Sequence, residues 1–329
     1  MDFVGKKNLR SAEADIVWPG LSLDNSYAQL PDSMHAAAGV DRLVEPELLW
    51  CNWRLGHALG IDLQPQDAIK AFASGHRIPF GASPVQSRTS KRPWGTIDPH
   101  HGIADDIALG EHVDPCFQRH HLSLQQREEG SDSTGAELSL RTAVYQLLMG
   151  EVLNAIGIQA PRVLAVAYDN SNQAPERFRA SMLKVGDSPL TIGAFEHAFR
   201  KLSVAELRDL ADYAISRIKP ALINSDTPYA DLFGQVCDQA AASSAQWESV
   251  GFIHSKLDTQ LTPIDGGMSL GIHSGFMEHY DPDCILHPFD LTGRYAFSAQ
   301  PIAVHWNLCR FANVLKPLMR FEPRAARER

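Results

Sequence analysis

The sequence predicts an α+β fold, and three observations carry that prediction. Strand-like segments and one long helix fill the first half, helical patterns dominate the second, and nothing repeats at a fixed period. With 329 residues, 44% hydrophobic and 21% charged, the chain can build one large two-lobed domain or two domains.

Residues 1–45 read as irregular, with a turn-rich stretch around Pro31, Asp32 and Gly39. PELLWCNWRLGHALG then predicts a helix, with Pro46 in its first turn and Gly60 near its end. Leu49, Trp50, Trp53, Leu55 and Leu59 recur at roughly helical spacing. Residues 71–101 are rich in proline and glycine and read as loop, with the basic cluster Arg88, Lys91 and Arg92 inside it. Strands are expected around Asp106–Leu109 and His121–Gln125. The polar loop REEGSDSTGAE leads into an amphipathic helix, LRTAVYQLLMGEVLNAIG, closed by Gly157. PRVLAVAYD and RASMLKVG read as two further strands. The helical half begins near Leu190. Ser203 and Glu206 form a capping-box pattern ahead of AELRDLADYAISRI. A longer helix is expected from about Tyr229 to Phe252, and a last one from about Ala303 to Leu318.

The net charge of −9 and pI of about 5.8, with no basic stripe, argue against nucleic acid as a partner. Arg320, Arg324, Arg327 and Arg329 alternate with acids and read as a solvated tail. Cys51, Cys116, Cys237, Cys284 and Cys309 are widely spaced and odd in number, which fits reduced thiols rather than a disulfide framework. The N-terminus lacks the apolar core of a signal peptide, and no apolar run is long enough to span a membrane. These features point to a soluble, cytoplasmic protein without a membrane partner. The histidines, among them His100, His101, His112, His120 and His121, lack the tight pairing of a helix-borne zinc site.

The later motifs are more specific. Around Trp247 and onward the chain reads QWESVGFIHSKLDTQ, PIDGG, GFMEHYDP, GRYAFSAQP and HWNLCRFANVLKPL. Earlier come LPDSMHAAAGVDRLVEPELLWCNWRLGHALGIDL, ASGHRIPFGASPV, EVLNAIGIQAPRVLAV, TIGAFEH and ADYAISRIKPAL. In this order, over about the whole length, they resemble the selenoprotein O family. The resemblance implies a two-lobed, protein-kinase-like fold, with a small lobe over residues 1–188 and a large lobe over 189–329. It also implies transfer of AMP from ATP, with Mg2+ or Mn2+, to protein hydroxyls.

The same resemblance marks departures at the positions that handle ATP. ALGE is kept at Ala108–Glu111, but acids at Asp105 and Asp106 stand where the family has a glycine-rich GDGRA segment. Gln125 stands at the family's lysine and Gln146 at its glutamate partner, so an ion pair becomes two amides able to bond each other. A second glycine-rich segment is replaced by Thr134–Glu137. Two arginines align with Lys184 and Thr191, and Lys184 alone keeps a charge for phosphates. In HSKLDTQL, His254 is kept, the catalytic base aligns with Gln260, the metal-binding asparagine aligns with Leu261, and Asp258 is the candidate replacement base. Asp265 of PIDGG matches the metal-binding aspartate. Arg88, Lys91 and Arg92 are candidates for replacing lost phosphate contacts. Gly293, Arg294, Tyr295, Gln300, Trp306 and Asn307 are expected to be scaffold, satisfying buried backbone groups.

Two functions follow as expectations. One is a pseudoenzyme for AMP transfer with a binding or regulatory role toward a protein or small molecule. The other is an active ATP- and Mg2+-dependent transferase with a rebuilt site: Asp258 as base, Asp265 on the metal, and Lys184, Gln125 and Gln146 around the nucleotide.

Overall fold

The computed structural model describes residues 18–64, 66–98, 102–128, 136–171, 174, 178–186 and 188–319. The expected arginine tail, His100, His101 and part of the Thr134–Glu137 segment lie outside those residues.

Eight strands form one antiparallel sheet: β1 (Leu23–Asp24), β2 (His35–Ala37), β3 (Pro46–Cys51), β4 (Val85–Ser87), β5 (Ile107–Val113), β6 (Arg119–Gln125), β7 (Arg162–Asp169) and β8 (Ala180–Val185). Their order is β2-β4-β5-β6-β8-β7-β3, with β1 paired to β5. Two helices, α1 (Trp53–Leu59) and α2 (Gln66–Ala73), precede β4, and α3 (Leu140–Ala155) runs between β6 and β7. The second half holds α4 (Ile192–Lys201), α5 (Val204–Ile218), α6 (Pro228–Ser249) and α7 (Gln300–Met319). A two-strand ribbon, β9 (Phe252–Ile253) with β10 (Gly275–Phe276), lies between the last two helices. This is an α+β architecture, with the large sheet built from the first half of the chain and most of the helices from the second. Among the described residues no helix is long and apolar enough to cross a membrane.

Strand alternation decides what faces the cleft between the halves. Ile107, Leu109, Leu122, Leu124, Leu183 and Val185 pack with Leu55, Ile69 and Phe72 in the core beside α1 and α2. Their neighbours Ala108, Ser123 and Lys184 form one cross-strand row on the opposite face. On that face α3 packs Ala143 and Leu147, with Leu138 just before it, against Val163, Val166 and Met182. Ser139 caps α3, and Gly157 takes the left-handed conformation after it, where the sequence predicts the helix to close. The capping box at Ser203 and Glu206 is formed.

The helix expected over residues 46–60 is instead a strand followed by a short helix. β3 pairs with β7, matching Pro46 to Asp169 and Trp50 to Val166. Proline is tolerated at a strand's first residue, and ladder bonds to β7 override the helical spacing. Asn52 starts the helix, its side chain accepting from the Leu55 N–H at 3.0 Å. The stretch expected to be loop holds the end of α2 and the three-residue β4, too short for alternation to register.

Candidate functional site

A cleft enclosing about 600 Å3 of space, its open mouth included, lies between the sheet and the segment after α6. Ser87, Thr89, Asp105, Asp106, Ala108 and Ser123 line its sheet side, and Ser188, Thr191, Gln260, Leu261 and Ser269 face them. Gly193, at the start of α4, lets the walls meet. A Cβ there would lie 2.4 Å from Thr89 Oγ1 and 2.9 Å from Gln260 Cα.

None of Lys184, Asp258 or Asp265 lines this cleft. Each stands behind the wall and holds a residue that does. Lys184, buried on β8, donates Nζ to Asp106 Oδ2 at 2.8 Å. Asp258 accepts through Oδ1 from the N–H groups of Gln260 (3.1 Å) and Leu261 (3.2 Å), capping the turn that carries both. Burial pushes its carboxyl up to about 6, against the pull of Lys256, Lys91 and those two N–H groups. Asp265 bonds Ser188, and burial raises its carboxyl too, against the pull of Ser188 and the Gly267 N–H.

Gln125 and Gln146 do not bond each other. Gln125 donates to the Arg127 carbonyl at 3.0 Å, and Gln146 to the Leu270 carbonyl at 2.9 Å. The Oε1 atom of each is buried without a partner, as are Thr89 Oγ1, Ser123 Oγ and Gln260 Oε1. Ile103 is 40% exposed and does not fill the cleft.

The basic cluster is engaged elsewhere. Lys91 pairs with Asp105 at 3.0 Å, and Arg92 with Glu196 at 2.8 Å. Arg88 Nε donates to the His35 carbonyl at 3.2 Å. Sequence reasoning missed these pairings because their partners lie far along the chain. The only signal was acids and bases both crowding the segment before β5.

The scaffold expectation holds for Gln300 and Asn307. Gln300 accepts from the His254 N–H at 2.8 Å and donates to the Phe252 carbonyl at 3.0 Å. Asn307 donates to the Leu257 carbonyl at 3.2 Å and to Thr262 Oγ1 at 2.8 Å. His254 is fully buried against Trp247, with its imidazole driven down to about 4 by burial. Ser255 follows in the left-handed region, φ 68°.

The residues present do not fit a metal-bound triphosphate. Two carboxylates line the cleft. The one lining base, His121, is driven down to about 4 by burial and is neutral at pH 7. Lys91 and Lys184 are already paired. Among the described residues no group of three or more His, Cys, Asp or Glu is placed to hold a metal ion.

A family model described as protein adenylyltransferase SelO matches residues 131–327. Proteins named protein nucleotidyltransferase YdiU are similar over most of the chain. That of Clostridium botulinum (strain Hall) is 31% identical over 321 residues, covering 94% of this chain and 64% of the relative. That of Nitrobacter hamburgensis is 33% identical over 305 residues (91% and 60%), and that of Anoxybacillus flavithermus 33% over 314 (93% and 65%). The chain therefore spans under two thirds of the length of these relatives. Among solved structures, a Toxoplasma gondii rhoptry antigen kinase domain aligns at TM-score 0.33 and 11% identity, over 69% of this chain and 67% of that one. With the family model matching over half of its residues, this chain belongs to the SelO protein adenylyltransferase family.

Proposed function

We propose that this chain is a pseudoenzyme for AMP transfer, its cleft serving to bind a partner or a small polar ligand. The observation that carries the reading is the Lys184–Asp106 ion pair. The one aligned cation that keeps its charge is neutralised inside the protein, and the carboxylate it holds lines the cleft. A triphosphate entering there finds no lysine or arginine among the described lining residues to offset its charge. Loss of phosphate-neutralising groups removes most of the rate in this class of reaction. The unpaired oxygens of Thr89, Ser123 and Gln260 suit a ligand that brings hydrogen bonds rather than charge.

The test is calorimetric titration with ATP, with and without Mg2+ or Mn2+. No heat of binding is expected at millimolar ATP, whereas Asp106→Asn, which releases Lys184, should gain measurable affinity. Metal-dependent ATP binding by the parent, abolished in Asp265→Ala, would sink the reading. One observation favours the alternative, an active transferase with a rebuilt site: the Asp258 carboxyl near 6 lies in the range of a proton-transferring base.

A further inference from the structure

The hydroxyls that line the cleft divide into two sets. Ser87, Ser188 and Thr191 are used by the fold. Ser87 Oγ lies 2.9 Å from Tyr27 Oη, and the Ser188 and Thr191 hydroxyls accept from the N–H groups of Leu190 and Ala194, each at 3.2 Å. Thr89 and Ser123 are not used. Each is 2% exposed, yet Thr89 Oγ1 and Ser123 Oγ have no hydrogen-bond partner. Gln260, 9% exposed, leaves its Oε1 unpaired in the same way. The three come from separate elements: the segment after β4, strand β6, and the turn that Asp258 caps. Gly193 draws two of them together, because the space its missing Cβ leaves touches both Thr89 Oγ1 and Gln260 Cα. Buried polar atoms are rarely left unmet, and three on the walls of one cleft point to a ligand that meets them.

The charges around the cleft narrow the class of ligand. Among the described lining residues no lysine or arginine is present to hold an anion. The lining acids, Asp105 and Asp106, are held by Lys91 at 3.0 Å and Lys184 at 2.8 Å, so neither is left over for a ligand ammonium group. His121, neutral at pH 7, adds one donor and one acceptor. Gln260 Oε1 only accepts, whereas a serine or threonine hydroxyl either donates or accepts. A ligand hydroxyl does both, and so matches all three unpaired atoms. Ala104, Ala108, Pro189 and Leu261 also line the cleft and offer apolar surface to a carbon skeleton.

Building on the pseudoenzyme reading, we propose that the cleft binds an uncharged, hydroxyl-rich ligand, a sugar or a cyclic polyol, through Thr89, Ser123 and Gln260. Each ligand hydroxyl replaces a bond to water by one to a buried oxygen that otherwise has none. That gain is denied to a ligand lacking the hydroxyl, so the same atoms set specificity.

The test is calorimetric titration of the whole chain with D-glucose, D-ribose and myo-inositol into the millimolar range, with cyclohexanol and ATP titrated in parallel. Saturable binding is expected for at least one of the first three and none for cyclohexanol. Ser123→Ala and Thr89→Val remove hydroxyls that bond nothing in the fold, and each should weaken that binding about five-fold. Near-ultraviolet circular dichroism checks that both variants fold. Tighter binding of a monosaccharide than of inositol identifies the ligand as a sugar, and the reverse identifies a cyclic polyol. Silence from all three, cyclohexanol binding as well as they do, or variants that bind like the parent would overturn the proposal. If ATP is silent too, the pseudoenzyme reading survives that failure. Metal-dependent ATP binding would overturn that reading and this ligand class together.

Discussion

The two walls of the cleft use their polar side chains differently. On the sheet wall, side chains pair with each other, as in Lys184–Asp106 and Lys91–Asp105, or leave oxygens unpaired, as in Ser123 and Gln125. On the opposite wall, side chains bond backbone. Gln300, Asn307 and Asp258 together serve the main chain of Phe252, His254, Leu257, Gln260 and Leu261. The reason is the backbone itself. β5, β6 and β8 satisfy their N–H and C=O groups in the ladder, so a cleft-facing side chain can change without breaking the fold. The segment between β9 and β10 has no ladder, and buried main-chain groups there need side-chain partners. Ligand chemistry can therefore be lost from the first wall while the scaffold of the second stays recognisable.

The largest test of this contrast is Glu196→Ala. It strands Arg92 and Arg310 beside a buried site and should cost about 3–5 kcal/mol in urea denaturation. Ser123→Ala on the sheet wall removes a hydroxyl with no partner and should cost under about 1 kcal/mol. Equal losses would break the comparison.

Asp258 gives a test with a direction in pH. Its folded carboxyl titrates near 6, above its ordinary value of 3.8, so the folded state holds its proton more tightly than the unfolded chain. Its contribution to stability is greatest below about pH 4 and falls as pH rises toward 6. Asp258→Asn removes that dependence. Its stability relative to the parent should therefore rise between pH 4 and pH 7, by up to about 3 kcal/mol for a two-unit shift. A difference that stays flat over that range would show the carboxylate to be solvated, not buried.

The smallest expected effect is at Ser255. A serine at φ 68° carries a cost that glycine does not, so Ser255→Gly should stabilise the chain by about 1 kcal/mol in thermal unfolding. A neutral or destabilising result would mean that the Ser255 side chain contributes contacts which offset the strain.

Much of the fold was legible locally. Gly157 closes α3, β7 and β8 fall where apolar runs sit between turns, and Ser203 with Glu206 starts α5. Residues 46–51 were not legible, because β3 exists only through its pairing with β7 more than a hundred residues later, whereas the end of the expected helix at Gly60 was. The candidate site was legible as a set of positions but not as a set of roles. Lys184, Asp258 and Asp265 do border the cleft region, yet each is turned to a wall residue instead of the interior.

By itself the sequence determined the family and the order of the main elements from β5 onward, since these reside in residue identity and spacing. Only the tertiary structure decided which charges cancel. Asp106 meets Lys184 across 78 positions, and Arg92 meets Arg310 on one glutamate from opposite ends of the chain. Electrostatic pairing depends on distance in space and on burial, and neither is written in the local sequence.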